Sequence, residues 1–153
     1  TSDTTNTITH SPSTNSNPTF WSASSVWAGD AFGTYDGTYG HYTPWLNSVQ
    51  AWSTGPVTSN QWIVLNYNVP AFITGIKTQG RQSFSQWVTT AKIEVSIDGV
   101  TWRTVKDNAT MNSDSNTIIN VLFSNVEYVQ YVRVTPTGFY GHPSMRMGLL
   151  IKQ

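Results

Sequence analysis

An all-β sandwich or barrel is the fold class this sequence predicts, on three observations. Short runs rich in Val, Ile, Thr and aromatic residues recur from Gln61 onward. Gly, Pro, Asn and Asp punctuate those runs, as turns between strands require. No stretch carries the 3.6-residue apolar period of an amphipathic helix.

Taken in order, residues 1–19 hold one aliphatic side chain, Ile8, too little apolar surface to offset backbone ordering. They are expected to form a linker or an arm lying across a domain that occupies 20–153. From Phe20 to Trp52 aromatic residues and Gly mix without regular alternation, which describes long ordered loops, the segments where binding concentrates. Trp62–Asn66 is a near-continuous apolar run and reads as a central strand buried on both faces. A separate strand, Ile73–Gln79, follows Val69-Pro70. Within Lys92–Val105, Ile97-Asp98-Gly99-Val100 reads as a hairpin with a two-residue Asp-Gly turn. That register sets Ile97 opposite Val100 and Val95 opposite Trp102, with Lys92, Glu94 and Ser96 on the other face. After a polar loop at 108–117 come Ile118–Phe123, then Tyr128–Thr135 stopped by Pro136, and finally Met145–Ile151. Trp62, Trp87 and Trp102 fall in or beside these strands and are assigned to the core. There is no internal repeat.

Composition narrows the function classes. A chain of 153 residues makes one domain with room for a real core. Only 10% of residues are charged, against roughly 25% in an average soluble protein. Eight basic and eight acidic residues cancel, so no global field draws in nucleic acid or an anionic membrane. The surface must then be covered by Ser, Thr, Asn, Gln and Gly, a composition commoner outside the cell. Cysteine is absent, which excludes disulfides and thiolate metal sites. No apolar run approaches the roughly 20 residues of a membrane-spanning helix. The sequence opens at Thr1 without Met, so a leader or further domains upstream are expected. Asn108-Ala109-Thr110 is a glycosylation sequon, in keeping with secretion.

Catalytic equipment is sparse. His10, His41 and His142 stand in no metal-ligand spacing, and neither a nucleophile elbow nor a phosphate-cradling loop occurs. Asp30 and Asp36 are close in sequence, but two loop Asp residues are more often turn formers or cation ligands than a catalytic pair. Asp36-Gly37-Thr38-Tyr39-Gly40 reads either as an oxygen-rich cation loop or as an Asx turn. Arg81 is either a ligand-recognising guanidinium or a buried structural one. Arg146, between two Met residues in a terminal strand, is expected to be packed and paired. Trp27, Tyr35, Tyr39, Tyr42, Trp45, Phe84 and Tyr140 lie in expected loops beside Gly, Ser or Pro. Three such rings together would make an apolar platform suited to a sugar face, a lipid headgroup or a protein hot spot.

From Trp62 onward, three segments stand out: Gly75-Ile76-Lys77-Thr78-Gln79-Gly80-Arg81, Gln86-Trp87-Val88-Thr89 and Ser144-Met145-Arg146-Met147. With Ser22-Ala23-Ser24-Ser25 and Ala51-Trp52 upstream, they resemble the discoidin domain family, also called the coagulation-factor C-type domain, nearest by pattern to slime-mould discoidin N-terminal domains. The resemblance implies an eight-stranded antiparallel jelly roll of the galactose-binding kind, with ligand loops gathered at one end. Those loops would be Trp27–Tyr35, Tyr42–Asn47, Arg81–Ser85 and Phe139–Pro143. Relatives bind galactose-type sugars, phosphatidylserine, collagen or growth factors there. Two departures are evident: the cysteine pair of many animal members is missing, and Gly148 stands where sugar-binding relatives carry a carboxylate that helps hold calcium. No cofactor is therefore expected, with Asp36 at most a weak calcium ligand.

The expectation is a non-enzymatic, extracellular or cell-surface module that binds a glycan or glycoprotein. Arg81 and His142 would supply directional hydrogen bonds, and Tyr42, Trp45 or Tyr140 an apolar face, with Trp27, Tyr35, Asp36 and Phe84 completing the candidate set. The alternative is a lipid- or protein-adhesion module anchored by Trp27, Trp45 and Phe84. Nucleic acid is not an expected partner.

Overall fold

The computed structural model describes residues 7–9, 17–58 and 60–152. The fold is all-β, an antiparallel sheet of eight strands: β1 (Thr7–Thr9), β2 (Trp21–Ala23), β3 (Trp52–Ser53), β4 (Ile63–Gln79), β5 (Trp87–Ser96), β6 (Arg103–Thr110), β7 (Ile119–Tyr140) and β8 (Ser144–Lys152). Neighbours run in the order β1-β8-β4-β7-β5-β6, with β2 on β4 and β3 on β8. Single 3-10 turns occur at Pro18–Phe20 and Trp27–Gly29. Of the expected N-terminal arm, Thr7–Thr9 pair along β8 from Lys152 to Leu150; most of the rest lies outside the described residues.

Three expected strand breaks lie within long strands, one of them between Ile118–Phe123 and Tyr128–Thr135, which β7 joins with a register shift on β4 between Ile73 and Gly75. β4 runs through Val69-Pro70, shifting its register on β7 between Asn66 and Ala71. Asn68 adopts a left-handed φ of 77° there, and its N–H donates to Asn66 Oδ1 at 2.8 Å. Pro136 does not stop β7. It sits opposite Ala91, where the register with β5 shifts between Thr90 and Ala91, and such an irregularity tolerates a residue without an N–H.

The hairpin at Asp98-Gly99 is longer than a two-residue turn. β5 ends at Ser96, β6 begins at Arg103, and Val95 pairs with Arg103 rather than Trp102. Asp98 Oδ1 accepts the N–H groups of Val100 and Thr101, both at 2.9 Å, and Gly99 holds φ 77°. The Asx geometry thus closes a wider loop and leaves Ile97 and Val100 exposed. Glu94 and Ser96 are buried.

The core is built from Ile63, Leu65, Ile73 and Ile76 of β4, Val88, Ala91, Ile93 and Val95 of β5, Val129, Val132 and Val134 of β7, and Met145, Met147, Leu149 and Ile151 of β8. Its tryptophans are Trp21 and Trp52, not the expected trio. Trp62, Trp87 and Trp102 are half-buried. Trp87 stacks on Tyr140, its partner in the β5–β7 register, at 4.8 Å. Trp102 lies over the Arg133 guanidinium at 4.2 Å and edge-on to Tyr131. Both rings cover polar or aromatic neighbours outside the apolar cluster, which strand membership alone does not distinguish from core.

β8 is buried on both faces from Ser144 to Leu150. Met145, Met147 and Leu149 enter the core, while Ser144 and Arg146 alternate onto the face covered by loops. Arg146 is 2% exposed, and it bonds four oxygens: Nε to Gly80 O at 2.8 Å, Nη1 to Ser48 O at 2.9 Å, and Nη2 to Ser115 O at 2.9 Å and Asn116 Oδ1 at 2.8 Å. Burial pushes its pKa down to about 10, which leaves it charged at neutral pH. It is packed, as expected, but paired with amide oxygens rather than an acid.

Candidate ligand-binding site

Register decides which loops meet. Trp87 pairs with Tyr140, Gln79 with Arg146 and Ser53 with Ser144, while Tyr42 bridges antiparallel to Trp52, so the β4–β5 loop, the β7–β8 loop and the chain leading up to His41 all emerge at one end. Gly141 permits their close approach: with φ 75°, a side chain there would come within 2.4 Å of Ser85 O. A cavity of about 550 Å³ opens among these loops, a size suited to a small ligand.

One wall combines Arg81, Phe84 and Tyr39. Arg81 is 4% exposed. Its Nε donates to Gln50 Oε1 at 2.7 Å and its Nη1 to Gln86 Oε1 at 3.0 Å, while the guanidinium lies 4.1 Å from the Phe84 ring centre. Nη2 is buried with no hydrogen-bond partner among the described residues. Burial lowers the Arg81 pKa, and the nearby Tyr39 and Asp30 counter that shift. An unmatched buried donor is costly, so its retention in a cavity wall marks a position suited to an incoming oxygen. Phe84 is half-buried, and Tyr39 lies 5.8 Å from it. The Phe84 carbonyl accepts from Gln86 N–H at 2.9 Å and from Ser115 Oγ at 2.6 Å, which pins the loop.

The other wall is Trp27, His142 and His41. Trp27 is 48% exposed and meets His142 edge-on at 5.2 Å. His142 Nε2 donates to Thr54 O at 2.7 Å, so its Nδ1 is the acceptor in the neutral ring. His41 Nδ1 lies 2.7 Å from Asp30 Oδ2, which makes Nε2 the acceptor of the neutral ring in the same way. Asp36, Thr34, Ser53 and Gln86 complete the polar lining. Asp36 Oδ1 accepts the N–H groups of Tyr39 at 2.6 Å and Thr38 at 2.8 Å, and these bonds hold its carboxyl below the usual range. That is the Asx-turn alternative.

The candidates therefore divide. Trp27, Asp36, Arg81, Phe84 and His142 line the cavity. Tyr42 and Trp45 do not: they pack on Phe32 at 5.1 and 5.6 Å, and Trp45 forms a bridge to Met147. Three of the four expected loops thus line the cavity, and the Tyr42–Asn47 segment packs on Phe32, Trp52 and Met147 instead. Tyr140 stacks on Trp87 and stays exposed outside the cavity lining, and Tyr35 lies on a neighbouring groove. The candidate set omitted Asp30, Tyr39 and His41; the eleven-residue separation of Asp30 from His41 carries no motif that would have paired them. The Oδ1 atom of Asp36 is engaged by the backbone N–H groups of its own turn. Among the described residues, no three His, Asp or Glu side chains gather to hold a metal.

Comparison with known proteins agrees with this architecture. Residues 9–149 match the family model for the F5/8 type C domain. A discoidin-1 chain of Dictyostelium discoideum is 32% identical over 103 residues, covering 66% of this chain and 41% of that protein. The chain thus spans about two fifths of that relative's length. The wild-type discoidin II structure from the same organism superposes with a TM-score of 0.71 at 20% identity, covering 95% of this chain and 58% of that one. A family 32 carbohydrate-binding module from Clostridium perfringens, solved with N-acetylgalactosamine-β-1,3-galactose, gives a TM-score of 0.65 at 16% identity, covering 97% of each chain.

Proposed function

The chain belongs to the F5/8 type C, or discoidin, domain family, and from that premise we propose that it is a non-enzymatic, extracellular or cell-surface module that binds carbohydrate in the cavity between Trp27 and Arg81. The observation that carries this reading is the Arg81 guanidinium: it is buried, fixed by Gln50 and Gln86, and holds an unmatched Nη2 donor beside aromatic rings. A sugar offers the complement, with hydroxyl oxygens for the donors and an apolar face for Trp27, Tyr39 or Phe84. His41 and His142 line the same cavity, each with one ring nitrogen already engaged, by Asp30 and by the Thr54 carbonyl. The galactose-containing ligand of the Clostridium module supports testing galactosides first.

Titration calorimetry against D-galactose and N-acetylgalactosamine-β-1,3-galactose tests the proposal. Trp27→Ala removes one of the two open aromatic rings of the cavity, the other being Tyr39, and should weaken binding at least about tenfold, with melting temperature nearly unchanged. Arg81→Lys keeps charge but loses the fixed fork of donors, and should abolish detectable binding. Unchanged affinity in both variants would reject the site.

Membrane or protein adhesion is less well supported. Of its three suggested anchors, Trp45 packs on Phe32 and Phe84 lies against Arg81, leaving Trp27 as the open ring. Vesicle binding that Trp27→Ala abolishes, with no sugar bound by the native protein, would replace the carbohydrate reading.

A further inference from the structure

A second depression of about 320 Å³ adjoins the main cavity, lined by Tyr35, Gly37, Thr38, Val49, Gln82 and Phe84, with Gln50 at its floor. The two are continuous through shared elements. Phe84 lines both, and the 34–39 loop divides them, placing Thr34, Asp36 and Tyr39 on the first and Tyr35, Gly37 and Thr38 on the second. Resting on the carbohydrate reading above, we infer that this groove is a subsite for a second sugar residue, so that the ligand is an oligosaccharide crossing the Phe84 ridge rather than a single terminal sugar.

The chemistry of the groove suits that occupant. Tyr35 is 43% exposed and Val49 is also exposed, giving an apolar contact for a pyranose face. The Gln82 amide, oriented so that its nitrogen donates to Ser48 O at 2.9 Å and Val49 O at 3.0 Å, is fixed and presents Oε1 as an acceptor for a hydroxyl. Ser83 holds a left-handed φ of 67°, a conformation a non-Gly residue keeps only when its surroundings impose it. The surroundings do so. Gln82 N–H donates to Gln50 O at 3.3 Å, Gln50 Nε2 donates to Gln82 O at 3.0 Å, and Phe84 O takes two further hydrogen bonds. Among the described residues no charged side chain lines the groove, so a neutral sugar enters without desolvating an ion.

Gln50 joins the two sites. Its Oε1 accepts from Arg81 Nε while its Nε2 holds the Gln82 carbonyl, so the side chain that orients the first site's guanidinium also fixes the second site's wall. A glycan spanning both would gain affinity from a preformed surface, without ordering either loop.

Calorimetry with D-galactose and N-acetylgalactosamine-β-1,3-galactose on the native chain, Tyr35→Ala and Val49→Trp tests the inference. Native protein should bind the disaccharide roughly tenfold more tightly than galactose. Tyr35→Ala, which removes a contact, and Val49→Trp, which fills the groove, should each erase most of that difference while galactose affinity stays within about twofold. Equal affinity of native protein for both sugars, or variants that leave the disaccharide preference intact, would overturn the second subsite while the primary site stands. Equal loss for both sugars would overturn it too, by making these residues part of the first site. Failure of native protein to bind either sugar would sink both readings together.

Discussion

Replacing Arg146 by Met tests the claim that one buried guanidinium ties the candidate site to the barrel. Its donors reach three chain segments: Ser48 before β3, Gly80 at the end of β4, and Ser115-Asn116 before β7. Met restores most of the buried volume, so the cavity penalty is small. The oxygens fare differently. Asn116 is exposed and Ser115 half-buried, so theirs can turn to water. Ser48 O can keep the Gln82 amide, whereas Gly80 O, on a buried residue, loses a charge-assisted bond. Each buried carbonyl left unmatched costs about 1–3 kcal/mol, and bonds to a charged group contribute about 1.5–3 kcal/mol each. Against this, the variant no longer desolvates a cation whose pKa burial has already pushed down to about 10. The net expected loss is about 2–4 kcal/mol, read as a lower urea midpoint at constant m-value. Amide exchange at Arg81 and Gln86 should accelerate as well, because their loop hangs from Gly80. A loss under about 1 kcal/mol, or exchange unchanged at those amides, would refute the clamp.

Trp52→Ala, at a fully buried ring, should cost about 3–5 kcal/mol in denaturant melts. Trp102→Ala should cost only about 1–2 kcal/mol, the scale of partial burial plus a cation–π contact; equal losses would mean that the two rings share one core. Asp98 is held below the usual carboxylate range by the N–H groups of Thr101 and Val100 and by Ser96. A depressed folded-state pKa contributes stability above the unfolded value of about 4 that is lost as pH falls through the folded one. Asp98→Ala should therefore lower the melting temperature at neutral pH and flatten its decline in acid. An unaltered acid profile would show that the turn carboxylate contributes nothing.

Much of this was legible in the chain because the signals are local. β-branched and aromatic runs between turn residues foretold strand at 62–66, 73–79, 92–105 and 145–151, each overlapping a strand of the fold, and the segments around Arg81, Trp87 and Arg146 carried the family pattern. Aromatic and Gly residues clustered in loops marked Trp27, Arg81, Phe84 and His142, and the fold brings all four to one cavity. Asp98 announced a turn, but which residues its carboxylate would bind, and hence the loop's width, depended on the β5–β6 register.

What the sequence by itself determined is the class of fold, three of the four loops that meet at the cavity and the zero net charge. Tertiary structure decided which rings face the cavity. Trp45 and Tyr42 look as available as Trp27 in sequence, yet Phe32 reaches across to cover them, and Tyr140 stacks on Trp87 outside the cavity lining. It also paired Asp30 with His41 and gave Arg81 and Arg146 opposite fates. Arg146 found an oxygen for every nitrogen, while Arg81 kept one donor unmatched. The physical reason is the same throughout: burial and hydrogen-bond satisfaction are properties of segments distant in sequence that strand register brings together, and no local pattern encodes them.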